Sequence, residues 1–245
     1  MIWLARPFPS SLELRSSEIH VVLLRLDAPL NDATALLDDG ERERANRFVF
    51  ERDRHRYIIA HAGVRTVLGR CLNRSPESLR FTAGPRGKPY LVDAAVDLRF
   101  NLSHSGERAL LAVSEGQEIG IDIEKHRPIE IDLLARRFFA PAESDALHAL
   151  DSSDQIPAFF RCWTRKEAFI KAIGDGLFGY PLDGFEVSVA EDDSPQLLRS
   201  CTADPDAVAR WRIVSLPVEP GYAAALAAGA GEWRIVRWSE PDGAF

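Results

Sequence analysis

The chain is short of cysteine. Cys71, Cys162 and Cys201 are its three in 245 residues, too widely spaced for a CxxC pair or a disulfide framework. A stapled scaffold and a zinc cluster are both excluded, and at this length a core forms without staples. Long apolar runs are missing too. Arg6, Glu13, Arg15 and Glu18 interrupt the N-terminal stretch, leaving no uncharged segment for a signal sequence or a membrane span. A cytoplasmic protein with no membrane contact is the expectation. Nor is there an excess of positive charge: 30 basic and 37 acidic residues give a net charge of -7, which argues against a general nucleic-acid binder. Two catalytic signatures are also absent, the GxSxG nucleophile elbow and the Walker P-loop.

What is present is unevenly distributed. Arg42, Arg44, Arg47, Arg52, Arg54, Arg56, Arg65 and Arg70 crowd the first third of the chain, so an anionic small ligand stays open. The run Ile19 to Leu26 reads as a buried strand. Ala33 to Phe48 reads as one solvated helix, and Asp53 to Leu72 as a helix with the strongest period in the first half. Strands are expected over Leu98 to Leu102, Ala109 to Val113 and Glu118 to Glu124. Helices follow over Leu133 to Phe139, Ala142 to Leu150 and Phe159 to Ile173. Four strand-like runs close the chain: Phe185 to Val189, Trp211 to Leu216, Tyr222 to Ala227 and Trp233 to Trp238. Tyr57, His61 and Arg65 recur at one offset as Phe159, Trp163 and Glu167, as two similar α+β halves would produce.

Four constellations carry chemistry. In Gly120-Ile121-Asp122-Ile123-Glu124, strand alternation sends both carboxylates to one face. Such neighbours repel and call for a cation, a basic partner or a proton; magnesium suits hard oxygen ligands. An exposed strand edge with two solvated acids explains the pattern equally well. Trp163, Glu167 and Lys171 share one helical face, with Lys166 beside it. The plain alternative is a surface Glu167–Lys171 pair, worth about 0.3 to 0.5 kcal/mol. Asn101-Leu102-Ser103-His104-Ser105-Gly106 reads as a polar turn; a hydrolase pair is rejected because adjacent side chains on extended backbone diverge, and phosphate binding fits better. Gly84-Pro85-Arg86-Gly87-Lys88-Pro89 offers open backbone and two cations.

Taken in order, GKP, FNLSHSG, GIDIE and WTRKEAFIKAIGDGL resemble the successive signatures of the surfactin-type 4'-phosphopantetheinyl transferases. The resemblance extends to ERERANRF, DRHRY and YPLDGFEVSV. It implies an α+β fold of two similar α/β subdomains packed as a pseudo-two-fold pair, with residues 1–117 carrying coenzyme A phosphate contacts and 118–245 carrying a magnesium site and carrier-protein docking. Coenzyme A is expected in the cleft between them. The implied reaction moves the phosphopantetheine arm of coenzyme A to a serine of an acyl or peptidyl carrier protein, releasing adenosine 3',5'-bisphosphate. Asp122, Glu124 and Glu167 match the magnesium ligands. Lys88, Ser103 and His104 match coenzyme A contacts, and Lys166 and Lys171 the cations facing the pyrophosphate. Asp122, Glu167 and Lys171 are the expected catalytic residues, with Glu167 a base, a metal ligand or both. Glu41 departs from the pattern: some members place a lysine there near the 3'-phosphate, so Arg44 is expected to compensate, with Arg42 or Arg56. A monomer is expected. A magnesium-dependent phosphoesterase and a silent binding module are the alternatives.

Overall fold

A computed structural model describes residues 6–84, 87–92, 96–174, 181–191, 197–200 and 207–241. Pro85 and Arg86 of the glycine-rich loop, the GDGL turn from Asp175 onward, Tyr180 and Cys201 lie outside the described residues. The chain divides after Gly116 and again after Glu232 into two units.

The first unit begins with strands β1 (Arg6–Pro7) and β2 (Glu18–Arg25). The aliphatic run of β2 is buried along nearly its whole length, as expected of a strand covered on both faces. Two short helices follow, α1 (Ala33–Leu36) and α2 (Asp39–Asn46), where the sequence suggests a single helix. Asp38 is the cause. Its backbone turns extended, its side chain accepts from Glu41 N at 2.9 Å, and Glu41 Oε2 accepts from Asp38 N at 3.1 Å. This reciprocal capping box starts a new helix. Helix α3 (Glu51–Leu72) ends at Asn73, which sits in the left-handed region at φ 51°, a position that Asn tolerates.

After the hairpin β3 (Phe81–Ala83) and β4 (Pro89–Leu91) come β5 (Leu98–Ser105) and β6 (Arg108–Glu115). The presumed polar turn is mostly strand: Ser103 pairs with Leu110 and His104 with Ala109, and the chain reverses only at Gly106 and Glu107. The last strand of the chain, Arg234–Ser239, lies parallel to both β1 and β2 in this sheet. Residues from Trp233 on therefore belong with the first unit, in contrast to the expected division into 1–117 and 118–245. Strand pairing across more than two hundred residues outweighs chain proximity here.

The second unit opens with β7 (Ile119–Lys125), then α4 (Ile131–Phe138), α5 (Pro141–His148) and α6 (Ser152–Ile173). Pro157 lies inside α6, and its missing N–H masks the helix start in the sequence pattern. Strands β8 (Phe185–Val187) and β9 (Leu197–Ser200) form a small ladder. Strands β10 (Trp211–Ser215) and β11 (Tyr222–Gly229) complete an antiparallel sheet in the order β10-β11-β7. Helix α6 lies against β7 and β11, with Ala168, Phe169 and Ala172 packed among Ala225 and Ala227. Each unit thus has a 22-residue helix and an antiparallel ladder. Among the described residues no helix is long and apolar enough to cross a membrane.

Candidate active site

The alternation of β7 places Asp122 and Glu124 opposite Ala225 and Ala223 of β11, so small side chains flank both carboxylates. Ile119, Ile121 and Ile123 are buried on the other side of the strand. Gly120 explains how α6 reaches this strand. A Cβ built there would strike Ala168 O and Ala172 N and lie 2.8 Å from the Lys171 carbonyl carbon. Only glycine permits that backbone approach. As a result Lys171 Nζ reaches Asp122 Oδ1 at 2.6 Å, and Glu167 lies one turn earlier on α6. Trp163, a further turn back, stacks on Phe159 at 5.9 Å and meets Phe138 edge-on at 5.4 Å. The helix face heading into the acids is therefore an aromatic-backed, partly buried surface.

Glu167 is buried, and its Oε1 has no hydrogen-bond partner. Burial pushes its carboxyl up to about 7, the negative charge of Asp122 adds to the rise, Lys171 opposes it, and Glu124 adds a smaller push. Glu124 Oε2 accepts from Arg127 at 3.0 Å. The donor set is all hard oxygen, which fits a magnesium-like cation. The three acids are neighbours in the field they exert, but the cage is not finished. Among the described residues no group of three His, Cys, Asp or Glu side chains is set to hold a metal, and Lys171 and Arg127 occupy oxygens that a cation would use.

The remaining predicted residues sit on several elements of the first unit. Lys88 follows the left-handed Gly87 in the β3–β4 hairpin, half-buried, and its carbonyl accepts from Gly84 N at 2.9 Å. Ser103 is buried whereas His104 is exposed, on opposite faces of β5. Successive strand side chains diverge, so the two do not form one phosphate cradle. Arg44 is exposed on α2 with its guanidinium 5.6 Å from the centre of the Tyr57 ring, and Arg56 lies 3.6 Å from Glu107.

Comparison with known proteins gives two family matches. Residues 118–227 match the 4'-phosphopantetheinyl transferase superfamily, and residues 26–116 match "4'-phosphopantetheinyl transferase, N-terminal". The 4'-phosphopantetheinyl transferase HetI of Nostoc sp. is 37% identical over 242 residues, covering 96% of this chain and 97% of that protein. The chain belongs to the 4'-phosphopantetheinyl transferase superfamily. The transferase Sfp of Bacillus subtilis is 35% identical over 208 residues, covering 83% of this chain and 89% of that protein. Another 4'-phosphopantetheinyl transferase of Bacillus subtilis is 40% identical over 158 residues, covering 64% and 69%.

One expectation carried over from the transferase signatures fails on position. Lys166 does not face a pyrophosphate. Its side chain is fully buried, and its ammonium donates to Leu182 O at 2.8 Å and Phe185 O at 2.6 Å while meeting Glu143 Oε2 at 2.7 Å. One residue is 100° of helix, enough to turn Lys166 into the core while Glu167 faces Asp122. Three other participants went unassigned: Gly120 as the contact point, Arg127 as the partner of Glu124, and Glu143 as the partner of Lys166. Glu143 carried a signal, an acid in the first turn of a helix after Pro141. The departure at Glu41 also has a local reason. Arg65 Nε donates to Glu41 Oε2 at 2.6 Å, and His61 Nδ1 lies 2.9 Å from Oε1. Burial works against its charge, yet the bond from His61, with smaller contributions from Asp38 N and Arg65, holds the carboxyl below its usual range.

Proposed function

We propose that this chain transfers the 4'-phosphopantetheine arm of coenzyme A to a serine of an acyl or peptidyl carrier protein, in a magnesium-dependent reaction. The observation that carries the reading is the meeting of β7 and α6, where Lys171 Nζ lies 2.6 Å from Asp122 Oδ1 and buried Glu167 keeps an oxygen without a partner. A carboxylate oxygen left open beside the acids is placed to take a hydroxyl proton as a general base. In the proposed step the serine Oγ bonds to the phosphorus of the arm, the linkage to adenosine 3',5'-bisphosphate breaks, and the serine proton goes to Glu167. Lys171, already 2.6 Å from Asp122, stabilises charge on the departing bisphosphate.

Asp122, Glu124 and Glu167 are the residues that would hold magnesium. Bound there, the ion would supply Lewis-acid stabilisation of developing negative charge. Lys88, His104, Arg44 and Arg56 are proposed as contacts for the anionic groups of coenzyme A. The leader of these is Lys88, a compact point charge suited to phosphate. The protein is proposed to act as a cytoplasmic monomer.

The test is direct. Purified protein, coenzyme A and magnesium are incubated with apo forms of fatty-acid, polyketide and peptide carrier proteins, and the acceptors are weighed by mass spectrometry. The expected result is the gain of one phosphopantetheine arm on at least one acceptor, lost when magnesium is chelated. Release of adenosine 3',5'-bisphosphate with no acceptor modified would overturn the reading in favour of a phosphoesterase.

A further inference from the structure

Glu143 and Lys166 form an ion pair at 2.7 Å inside the second unit, with both side chains buried. Their polar atoms are in use. Lys166 Nζ also donates to Leu182 O and Phe185 O. Glu143 Oε2 accepts from Ala140 N at 2.8 Å, and Oε1 accepts from Val187 N at 2.7 Å. The pair thereby ties together the start of α5, the middle of α6 and the segment from Leu182 to Val187. No other residue touches all three through polar bonds among those named above.

The first unit contains the same device. Glu41 is the third residue of α2, bonds its own cap amide, and is held by Arg65 of the 22-residue helix α3. Glu143 is the third residue of α5, bonds the Ala140 amide, and is held by Lys166 of the 22-residue helix α6. In both places a first-turn glutamate takes a buried cation from the long helix.

Buried ion pairs are weak sources of net stability, because desolvation offsets the attraction, and apolar replacements of similar volume are often neutral. What such a pair does supply is direction, since its hydrogen bonds are satisfied in one geometry. Direction matters on α6. Its other face meets β7 backbone at Gly120, and a slip by one residue is a rotation of about 100° and a rise of about 1.5 Å, which would take Glu167 and Lys171 away from Asp122.

We infer that Glu143 and Lys166 are positioning residues for the transfer reaction: they set the rotation of α6 so that Glu167 and Lys171 face Asp122, and neither contacts the substrate. The inference rests on the roles proposed above for Glu167 and Lys171.

The test uses the full chain carrying Glu143→Leu and Lys166→Met together, so that no single buried charge is stranded. The expected result is a protein that still folds with a lowered melting temperature, since Ala140 N, Val187 N, Leu182 O and Phe185 O lose these partners, a KM for coenzyme A within about twofold, a kcat per folded molecule lower by about tenfold or more, and faster amide hydrogen exchange across residues 163–172. A folded double variant with unchanged kcat and unchanged exchange would overturn the inference, since a pair that only fills space would behave in that way. If the double variant does not fold, Glu143→Gln, which keeps the shape and one acceptor oxygen, goes through the same measurements under the same criterion. Should the unaltered protein show no transfer at all, the reaction assignment falls, and the exchange data alone decide whether the pair holds α6.

Discussion

At the scale of single residues, two glutamates show how one side-chain type takes opposite roles. Glu167 sits among like charges with a bare oxygen and gains affinity for protons. Glu41 sits among Arg65, His61 and its own cap amide and loses it. We predict that Glu167→Gln keeps the fold, as judged by its melting curve, and lowers kcat for arm transfer by about a hundredfold or more, the range of a lost general base. Turnover near the original rate would remove Glu167 from the chemistry. Glu41→Lys is expected to destabilise the first unit by about 3 kcal/mol, because it puts a like charge beside buried Arg65, leaves Asp38 as its one carboxylate partner among the described residues, and breaks half of a capping box. Urea denaturation measures this. A variant as stable as the original, with tighter coenzyme A binding, would return position 41 to the phosphate pocket.

At the scale of elements, the decisive contact is between α6 and β7. Gly120 is where the two backbones meet, and the atoms that a Cβ would strike belong to the helix main chain rather than to a flexible side chain. Gly120→Ala is therefore predicted to push α6 off the strand, destabilising the second unit by about 1–3 kcal/mol and lowering transfer more than melting temperature alone accounts for. Activity per folded molecule, compared with the parent, checks it; an intact kcat in a stable variant would show that the helix tolerates the shift. The strand itself was legible, since alternation in GIDIE predicts its faces. The break between α1 and α2 was not, because it depends on the conformation of Asp38 rather than on hydrophobic period.

At the scale of the molecule, the strand Arg234–Ser239 lies between β1 and β2 in the first sheet, and a buried histidine sits at that junction. Trp238 Nε1 donates to His20 Nδ1 at 3.0 Å, while His20 Nε2 lies 3.4 Å from Glu18, which also binds Arg234. A proton on Nδ1 would face the indole N–H, donor against donor. Burial pulls the imidazole below its ordinary value of 6.5, with Glu18 opposing and Arg234 assisting. Below that value the unfolded chain binds more protons than the folded one, so this contribution to stability is complete above pH about 6.5 and is lost as pH falls through the lower folded value. Melting temperatures from pH 7.5 to 5 should fall on the acid side, and His20→Gln should flatten the fall. Parallel curves for both proteins would show that acid sensitivity arises elsewhere.

The sequence alone determined the periods and the local chemistry: the two long helices, the alternating acidic strand, the Trp163-Glu167-Lys171 face, and the order of motifs that identifies the family. These depend on neighbours within a few residues, where backbone geometry dictates direction. Only the tertiary structure decided which charges meet. Glu41 with Arg65, Glu143 with Lys166 and Asp122 with Lys171 are 24, 23 and 49 residues apart, and no period connects them. Lys166 and Glu167 are chain neighbours with opposite fates, because 100° of helix separates the core from the acids and packing alone fixes which of the two points inward.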